Sequence, residues 1–198
     1  MEEIKNIQGG TLFVGEYESF KHCVEDAVRK GVNLSYADLS YADLSYAYLS
    51  GAYLTYADLR GANLYRADLT YADLYRADLR GAHLFRSNLE NARLSCANLY
   101  YANLKGARLT GANLWGCTGN GREIKSSSEF LEYEIAYTAE VLQIGCENHK
   151  IEDWWKFRDH EIREMEDEKA LEFWRKNKDT IQNMIEQNPA TTTGWEIK

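Results

Sequence analysis

Leucine occupies every fifth position of this chain from Leu34 to Leu114, seventeen times in a row, and no other feature restricts its fold as tightly. Two residues before each leucine sits a small residue: fifteen alanines between Ala37 and Ala112, Ser87, and Val32 as the one bulky member. The unit reads A-(D/N)-L-x-x. A period of five suits neither standard element. On an α-helix five residues advance about 500°, so the leucines would spiral over the whole surface. In a straight strand an odd period throws alternate leucines onto opposite faces. Both conflicts vanish if the chain turns a corner once per unit, because each corner resets the pleat and lets the leucine and the small residue point inward every time. Four corners close a square coil of twenty residues. Stacked coils then hydrogen-bond like parallel strands about 4.8 Å apart, with leucine filling the axis and alanine fitting where the walls come closest.

The outward residues bear on that coil length independently. Arg60 and Arg80, Gly61 and Gly81, Tyr65 and Phe85, and Arg66 and Arg86 each recur at a spacing of twenty. A ten-residue echo competes with them, Tyr65-Arg66-Ala67-Asp68-Leu69 against Tyr75-Arg76-Ala77-Asp78-Leu79. Seventeen units make slightly more than four coils, a rod about 20 Å long at strand spacing.

With these residues in view, the segment from Val32 to Gly116 resembles the pentapeptide repeat family. The resemblance implies a mainly β chain built on a right-handed quadrilateral parallel β-helix. It does not imply one function: the family includes DNA-mimicking inhibitors of type II topoisomerases, while most members are binding or scaffold proteins without an assigned activity, and a fold does not dictate a function.

The flanks must close the rod, since open coil ends expose apolar interior and unpaired backbone. Residues 1–31 read as an N-terminal strand-helix cap: Thr11-Leu12-Phe13-Val14 forms a strand, and Phe20, Cys23, Val24, Ala27 and Val28 share one helix face that stops near Gly31. The repeat occupies 32–116. A glycine-rich bend from Gly116 to Gly121 then opens an α/β module over 117–189. Within it, Phe130 to Ile144 reads as two strands around Thr138-Ala139-Glu140, Ile151 to Phe157 and Asp159 to Met165 as short helices, and Leu171, Trp174, Lys178, Ile181 and Ile185 as the stripe of a longer helix before Pro189. Residues 190–198 form a tail. Trp154, Trp155, Trp174 and Trp195 all lie in this last part of the chain.

Both flanks also look like the ends of pentapeptide repeat proteins encoded by phages and prophages, in Phe20-Lys21-His22-Cys23-Val24-Glu25-Asp26-Ala27-Val28 and in Gln143-Ile144-Gly145-Cys146-Glu147-Asn148-His149 followed by Ile151-Glu152-Asp153-Trp154-Trp155. This implies a protein acting inside an infected bacterium. The chain shows neither a signal peptide nor an apolar run that could span a bilayer, and Cys23, Cys96, Cys117 and Cys146 form no C-x-x-C pair, so a reducing cytoplasm is expected.

The net charge of −8 suggests DNA mimicry, but its distribution does not. The rod carries eight bases against seven acids, the first thirty-one residues four against six, and residues 117–198 eleven against eighteen. A surface imitating DNA needs a regular negative field, which this rod lacks.

Instead, one face of a twenty-residue coil stacks Ser40, Arg60, Arg80 and Tyr100, and the next stacks Ser45, Tyr65, Phe85 and Lys105 beside Tyr46, Arg66 and Arg86. Arginine forks beside aromatic planes suit phosphates and bases. The candidate ligand belt is therefore Arg60, Tyr65, Arg66, Tyr75, Arg76, Arg80, Phe85 and Arg86. The alternative is that these are stacked ladders, with Asp38, Asp58 and Asp78 pairing the adjacent arginines. Cys146, His149, Glu152 and His160 lack the spacing of a metal site, His83 reads as a solvated ladder member, and no nucleophile-base-oxyanion motif is present. No cofactor, metal or catalytic group is expected. The leading reading is a non-enzymatic binding protein that occupies a host component, either a nucleotide-type small molecule or a host protein, with topoisomerase inhibition and an enzyme in the C-terminal module as alternatives. Direct nucleic-acid or membrane binding is not expected. Self-association as a homodimer or larger homo-oligomer is, with Trp154, Trp155, Phe157 and Trp174 as interface candidates because they offer more aromatic surface than a small module buries.

Overall fold

The computed structural model describes residues 1–127, 133, 135–165 and 168–193. From Asp38↔Asp58 to Asn98↔Thr118, every bridge along the repeat is parallel and joins residues twenty apart. The twenty-residue coil is therefore the true period, and the ten-residue echo marks opposite sides of one coil.

Each corner closes by the same bond, the small residue's N–H donating to the preceding leucine's carbonyl, as from Ala37 to Leu34 at 3.0 Å and from Ala67 to Leu64 at 3.0 Å. The residue just before the small one is the third of a four-residue turn and takes positive φ, as a type II turn requires. All seventeen such residues from Tyr36 to Gly116 do so, with φ between +53° and +73°, and eleven of them are not glycine. A side chain there costs about 1–2 kcal/mol. Two gains offset it. The strained residue donates its N–H to the coil ahead, as Tyr41 does to the Arg60 carbonyl at 2.8 Å, a net gain of about 0.5–1.5 kcal/mol. Each corner also turns one leucine inward, a burial that contributes about 1.5–3 kcal/mol. Leu39 to Leu104 are at most 1% exposed.

The Asp or Asn of the unit has its own task. Its side chain accepts the N–H of the residue two ahead, the one backbone donor that the corner leaves idle: Ser40 to Asp38 at 3.2 Å, Thr70 to Asp68 at 3.0 Å, Trp115 to Asn113 at 3.0 Å. Short side chains with a carbonyl or carboxylate oxygen make this bond, and longer ones overshoot it.

At the N-terminal end, β1 (Glu2–Lys5) and β2 (Thr11–Gly15) form an antiparallel hairpin, and α1 (Phe20–Arg29) starts at Ser19, whose hydroxyl accepts from the His22 N–H. β1 was not anticipated from the sequence. The hairpin meets the first coil through Asp38 N–H to Lys5 O and Ile7 N–H to Tyr36 O, both 2.8 Å. Cys23, Val24 and Ala27 of α1 join the leucine core.

At the other end, β3 (Lys125–Ser127), β4 (Ile135–Tyr137), β5 (Val141–Ile144) and β6 (Glu147–Lys150) make a four-stranded antiparallel sheet in chain order. β4 and β5 flank the turn at Thr138-Ala139-Glu140; the expected strand start at Phe130 lies outside the described residues, as do Trp195 and the end of the tail. β3 and β6 are additions to the sequence reading. The sheet is followed by α2 (Ile151–Trp154), α3 (Asp159–Met165) and α4 (Glu168–Gln187). α2 is shorter than the expected 151–157: its last turn tightens as the Lys156 N–H donates to Asp153 O at 2.9 Å, three residues back, and Arg158 turns its N–H to the Glu161 carboxylate at 2.8 Å, opening α3.

This module seals the last coil with amide side chains. Gln143 is 1% exposed; its Oε1 accepts from Leu114 N–H at 2.7 Å and its Nε2 donates to Asn113 Oδ1 at 2.9 Å. Asn148 Nδ2 donates to Ala112 O at 2.8 Å, and Ile124 and Ala136 extend the leucine column. A second core, centred on Leu142, Trp154, Leu171, Trp174 and Ile181, holds the helices on the sheet. Among the described residues no helix is long and apolar enough to cross a membrane.

Candidate functional site

The twenty-residue register sorts the outward residues onto four corners, and the arginine-aromatic belt divides among three of them. Arg60 and Arg80 share one corner, Tyr65, Arg66, Phe85 and Arg86 the next, and Tyr75 with Arg76 the corner half a coil away. The belt is therefore not one site. Position modulo twenty was the available signal: 66 and 86 agree, whereas 76 is offset by ten.

The Arg60-Arg80 corner is internally satisfied. Arg60 Nε donates to Asp58 Oδ1 at 2.8 Å and Arg80 Nε to Asp78 Oδ1 at 2.8 Å, with a second guanidinium nitrogen closing each fork. The Arg60 guanidinium holds the Asp58 carboxyl below its ordinary value, the backbone bond from Arg60 adding to it. The expected ladder pairing thus exists at Asp58 and Asp78, while Asp38 bonds the Ser40 hydroxyl at 2.6 Å.

At the corner half a coil from Arg66, Arg76 Nη1 donates to the Tyr56 hydroxyl at 3.1 Å and lies over the Tyr56 and Tyr75 rings, and Arg93 lies 4.8 Å from the Tyr75 centroid. Tyr36 and Tyr56 stack at 4.9 Å with only 4° between their planes.

The remaining corner has another character. Tyr65 and Phe85 stack at 5.7 Å and 15°, Tyr46 meets Tyr65 edge-on at 5.1 Å, and the guanidinium groups of Arg66 and Arg86 lie 5.5 and 5.2 Å from the Tyr65 and Phe85 centroids. The two rings cover one another, so nothing can be inserted between them. The guanidinium groups themselves lie against the rings, and both arginines remain exposed. Of the eight bases in the rod, Arg60, Arg80, Arg93 and Arg108 form ion pairs. The other four are Arg66, Arg76, Arg86 and Lys105, and three of these share this corner with no carboxylate partner among the described residues. Arg86 leans forward over Gly106, where an added Cβ would stand 2.9 Å from its Cγ.

Beside this corner lies an open depression of about 560 Å³, with His83 and Asn103 on its floor, Tyr65 and Phe85 along one side, and Gly81 and Tyr101 along the other. The belt read from the sequence omitted Gly81, Tyr101 and Asn103. The column 41, 61, 81, 101, which reads Tyr-Gly-Gly-Tyr, was the signal that could have found them.

The tryptophans expected at an interface are placed differently. Trp154 and Trp174 are 3% and 4% exposed, and Trp154 Nε1 donates to Leu142 O at 2.7 Å. Trp155 stacks on Trp174 at 5.5 Å, and Phe157 meets Trp154 edge-on at 5.7 Å. Trp154 and Trp174 thus belong to the module's own core, whereas Trp155 and Phe157 stay half-buried at its surface. His149 bonds Glu147 at 2.9 Å between Trp154 and Phe157, and among the described residues no three His, Cys, Asp or Glu side chains converge as a metal site needs.

The model of pentapeptide repeats matches this chain in eight copies, over residues 33–70, 47–84 and 77–116. Among solved structures, the chain is similar to HetL, a pentapeptide repeat protein involved in heterocyst differentiation regulation from the cyanobacterium Nostoc sp. strain PCC 7120, with 46% identity over 44% of this chain and 40% of HetL and a TM-score of 0.43. It is similar to a pentapeptide repeat protein of the Arabidopsis thaliana thylakoid lumen, 35% identical over 52% of this chain and 70% of that one, TM-score 0.40. Rfr23, a pentapeptide repeat protein from the cyanobacterium Cyanothece 51142, is 43% identical over 34% of this chain and 56% of its own, TM-score 0.22. The chain thus spans less than half of HetL. Comparison with curated proteins gives no match.

Proposed function

The chain belongs to the pentapeptide repeat family, and from that premise we propose that it is a non-enzymatic binding protein whose basic corner, formed by Arg66, Arg86 and Lys105, captures a nucleotide-type anion. One observation carries this reading: the corner gathers three of the four rod cations that have no carboxylate partner among the described residues, beside an aromatic wall. A corner needs neither charge nor ring to form, as Gly111 and Gly116 take the same backbone without a side chain. Arginine engages phosphate through two parallel donors and keeps its charge at any physiological pH, so the corner is suited to hold phosphate rather than to transform it. Sequestration needs no catalytic group. The likeness of the flanks to phage-encoded members extends the proposal: the captured molecule would belong to an infected bacterium and be met in its cytoplasm.

A protein partner is the second reading, favoured by the tyrosine-rich first coil, where Tyr41 and Tyr48 are 79% and 75% exposed. Topoisomerase inhibition by DNA mimicry fits less well, since ion pairing consumes four of the seven rod acids and leaves this corner positive.

Calorimetric titration with mono-, di- and cyclic nucleotides tests the proposal. Arg66→Ala with Arg86→Ala is expected to weaken binding about a hundredfold or more, since charge-assisted bonds contribute about 1.5–3 kcal/mol each. The melting temperature should hardly move. No nucleotide binding, together with early unfolding of the double variant, would make these side chains structural ladders.

A further inference from the structure

The corner that carries Arg60 and Arg80 contains a vacancy in an otherwise filled aromatic column. Its positive-φ positions run Tyr41, Gly61, Gly81, Tyr101. Gly61 is covered: a Cβ built there would stand 2.7 Å from the Tyr41 ring, which lies across it. Gly81 is bare, with nothing within 4 Å of the corresponding point. One coil further on, Tyr101 is 76% exposed and leans on Tyr100, ring centroids 4.0 Å apart. The sequence of rungs is ring, gap, ring. Coils repeat at about 4.8 Å, so a gap of one rung accepts one planar ring and little else.

The gap opens into the depression floored by His83 and Asn103. Asn103 uses its Oδ1 for the Lys105 N–H at 3.2 Å, which leaves its amide nitrogen facing outward. The His83 ring has no hydrogen-bond partner among the described residues and is exposed. A donor and an imidazole that can donate or accept therefore stand beside a ring-sized slot, with Lys105, Arg66 and Arg86 along the adjoining corner. The volume, about 560 Å³, is within the roughly 300–1,000 Å³ range of small-molecule sites.

We propose that the Gly81 gap receives the base of a nucleotide, which completes the column on Tyr101 while its polar edge meets His83 and Asn103 and its phosphate reaches the Arg66-Arg86-Lys105 corner. This rests on the anion-binding reading for the phosphate and adds an independent place for the base. Stacking on aromatic side chains is tolerant of base identity, so any discrimination comes from His83 and Asn103.

Gly81→Tyr fills the gap with the residue that Tyr41 and Tyr101 show to be compatible with this corner, and His83→Ala alters the floor without touching the backbone. Calorimetry with AMP, adenosine and pyrophosphate separates base from phosphate. Gly81→Tyr is expected to weaken AMP and adenosine at least tenfold and leave pyrophosphate unchanged, His83→Ala to weaken the same two several-fold, and Arg66→Ala with Arg86→Ala to weaken pyrophosphate and AMP but not adenosine. If both Gly81→Tyr and His83→Ala bind AMP like the parent while the arginine variant loses it, the slot is wrong and the basic corner stands. If adenosine binds in a Gly81-dependent manner and pyrophosphate does not bind, the slot stands and the basic corner falls. If none of the three binds, both fall.

Discussion

The rod and the C-terminal module solve the same problem, burial of apolar surface, by opposite means. In the rod one five-residue rule is applied seventeen times, leucine after leucine enters one column, and stability is shared among neighbouring coils. In the module no rule repeats: Trp154, Trp174, Phe173 and Tyr137 fit one another individually, and the strands pair in chain order. Repetition leaves the outward positions free to vary, which is why the rod can carry a column of unpaired cations. The module spends its aromatic residues on its own core and its amides on sealing the rod.

The contrast breaks most severely at Leu74→Asp. A carboxylate in the dry column has no partner, so soluble folded protein should be lost, as seen in expression and far-ultraviolet circular dichroism. A soluble, cooperatively unfolding Leu74→Asp would refute the inward leucine column.

Trp154→Ala should cost the module about 3–5 kcal/mol while the rod keeps its β signal, giving two separated transitions in thermal melts. Light scattering before and after the substitution should return the same mass, because this ring is core; a change of mass would restore it as an interface.

The two regions meet at Gln143, and Gln143→Ala should lower stability by about 1–3 kcal/mol because Leu114 loses its side-chain acceptor in a buried place. Denaturant unfolding measures it. A loss below about 0.5 kcal/mol would mean that water replaces the amide.

The smallest effect belongs to the N-terminal cap. The Lys30 and Tyr17 bonds pull the Asp26 carboxyl down from 3.8 to about 2, and the same carboxylate pushes the Tyr17 phenol from 10.0 up to about 12. Asp26 therefore contributes stability that is complete above pH 4 and lost as pH falls toward 2, and Tyr17 contributes stability that is complete below pH 10 and lost as pH rises toward 12. The difference in melting temperature between the parent and Asp26→Asn should be constant from pH 5 to 9 and shrink on the acid side; a constant difference down to pH 2 would remove the linkage.

How legible each part was follows from the same contrast. The leucine column and the twenty-residue return could be read directly, since a strict period states its geometry many times over. The positive-φ corners could not be, because Tyr36, Arg66, Asn91 and Cys96 share no preference for that backbone and accept it only under cross-coil bonding. The division of Arg66 and Arg76 between opposite corners was legible in principle and was obscured by the ten-residue echo. In the module the helices showed through their apolar stripes, whereas β3 (Lys-Ser-Ser) and β6 (Glu-Asn-His-Lys) contain no apolar residue that would mark a strand as β4 and β5 do. Burial of Trp154 and Trp174 depended on contacts between distant segments that no local pattern announces.

The twenty-residue register gives this molecule an arithmetic of insertion and loss. Removing or duplicating five residues inside the repeat would keep every leucine inward yet turn everything downstream by a quarter revolution, carrying Lys105 and the Gln143 seal to a different side from Arg66. Removing or duplicating twenty would only shorten or lengthen the rod. The quantum of change that preserves its surfaces is a whole coil, so two chains of this kind with equally regular repeats can present unrelated faces if their lengths differ by anything else.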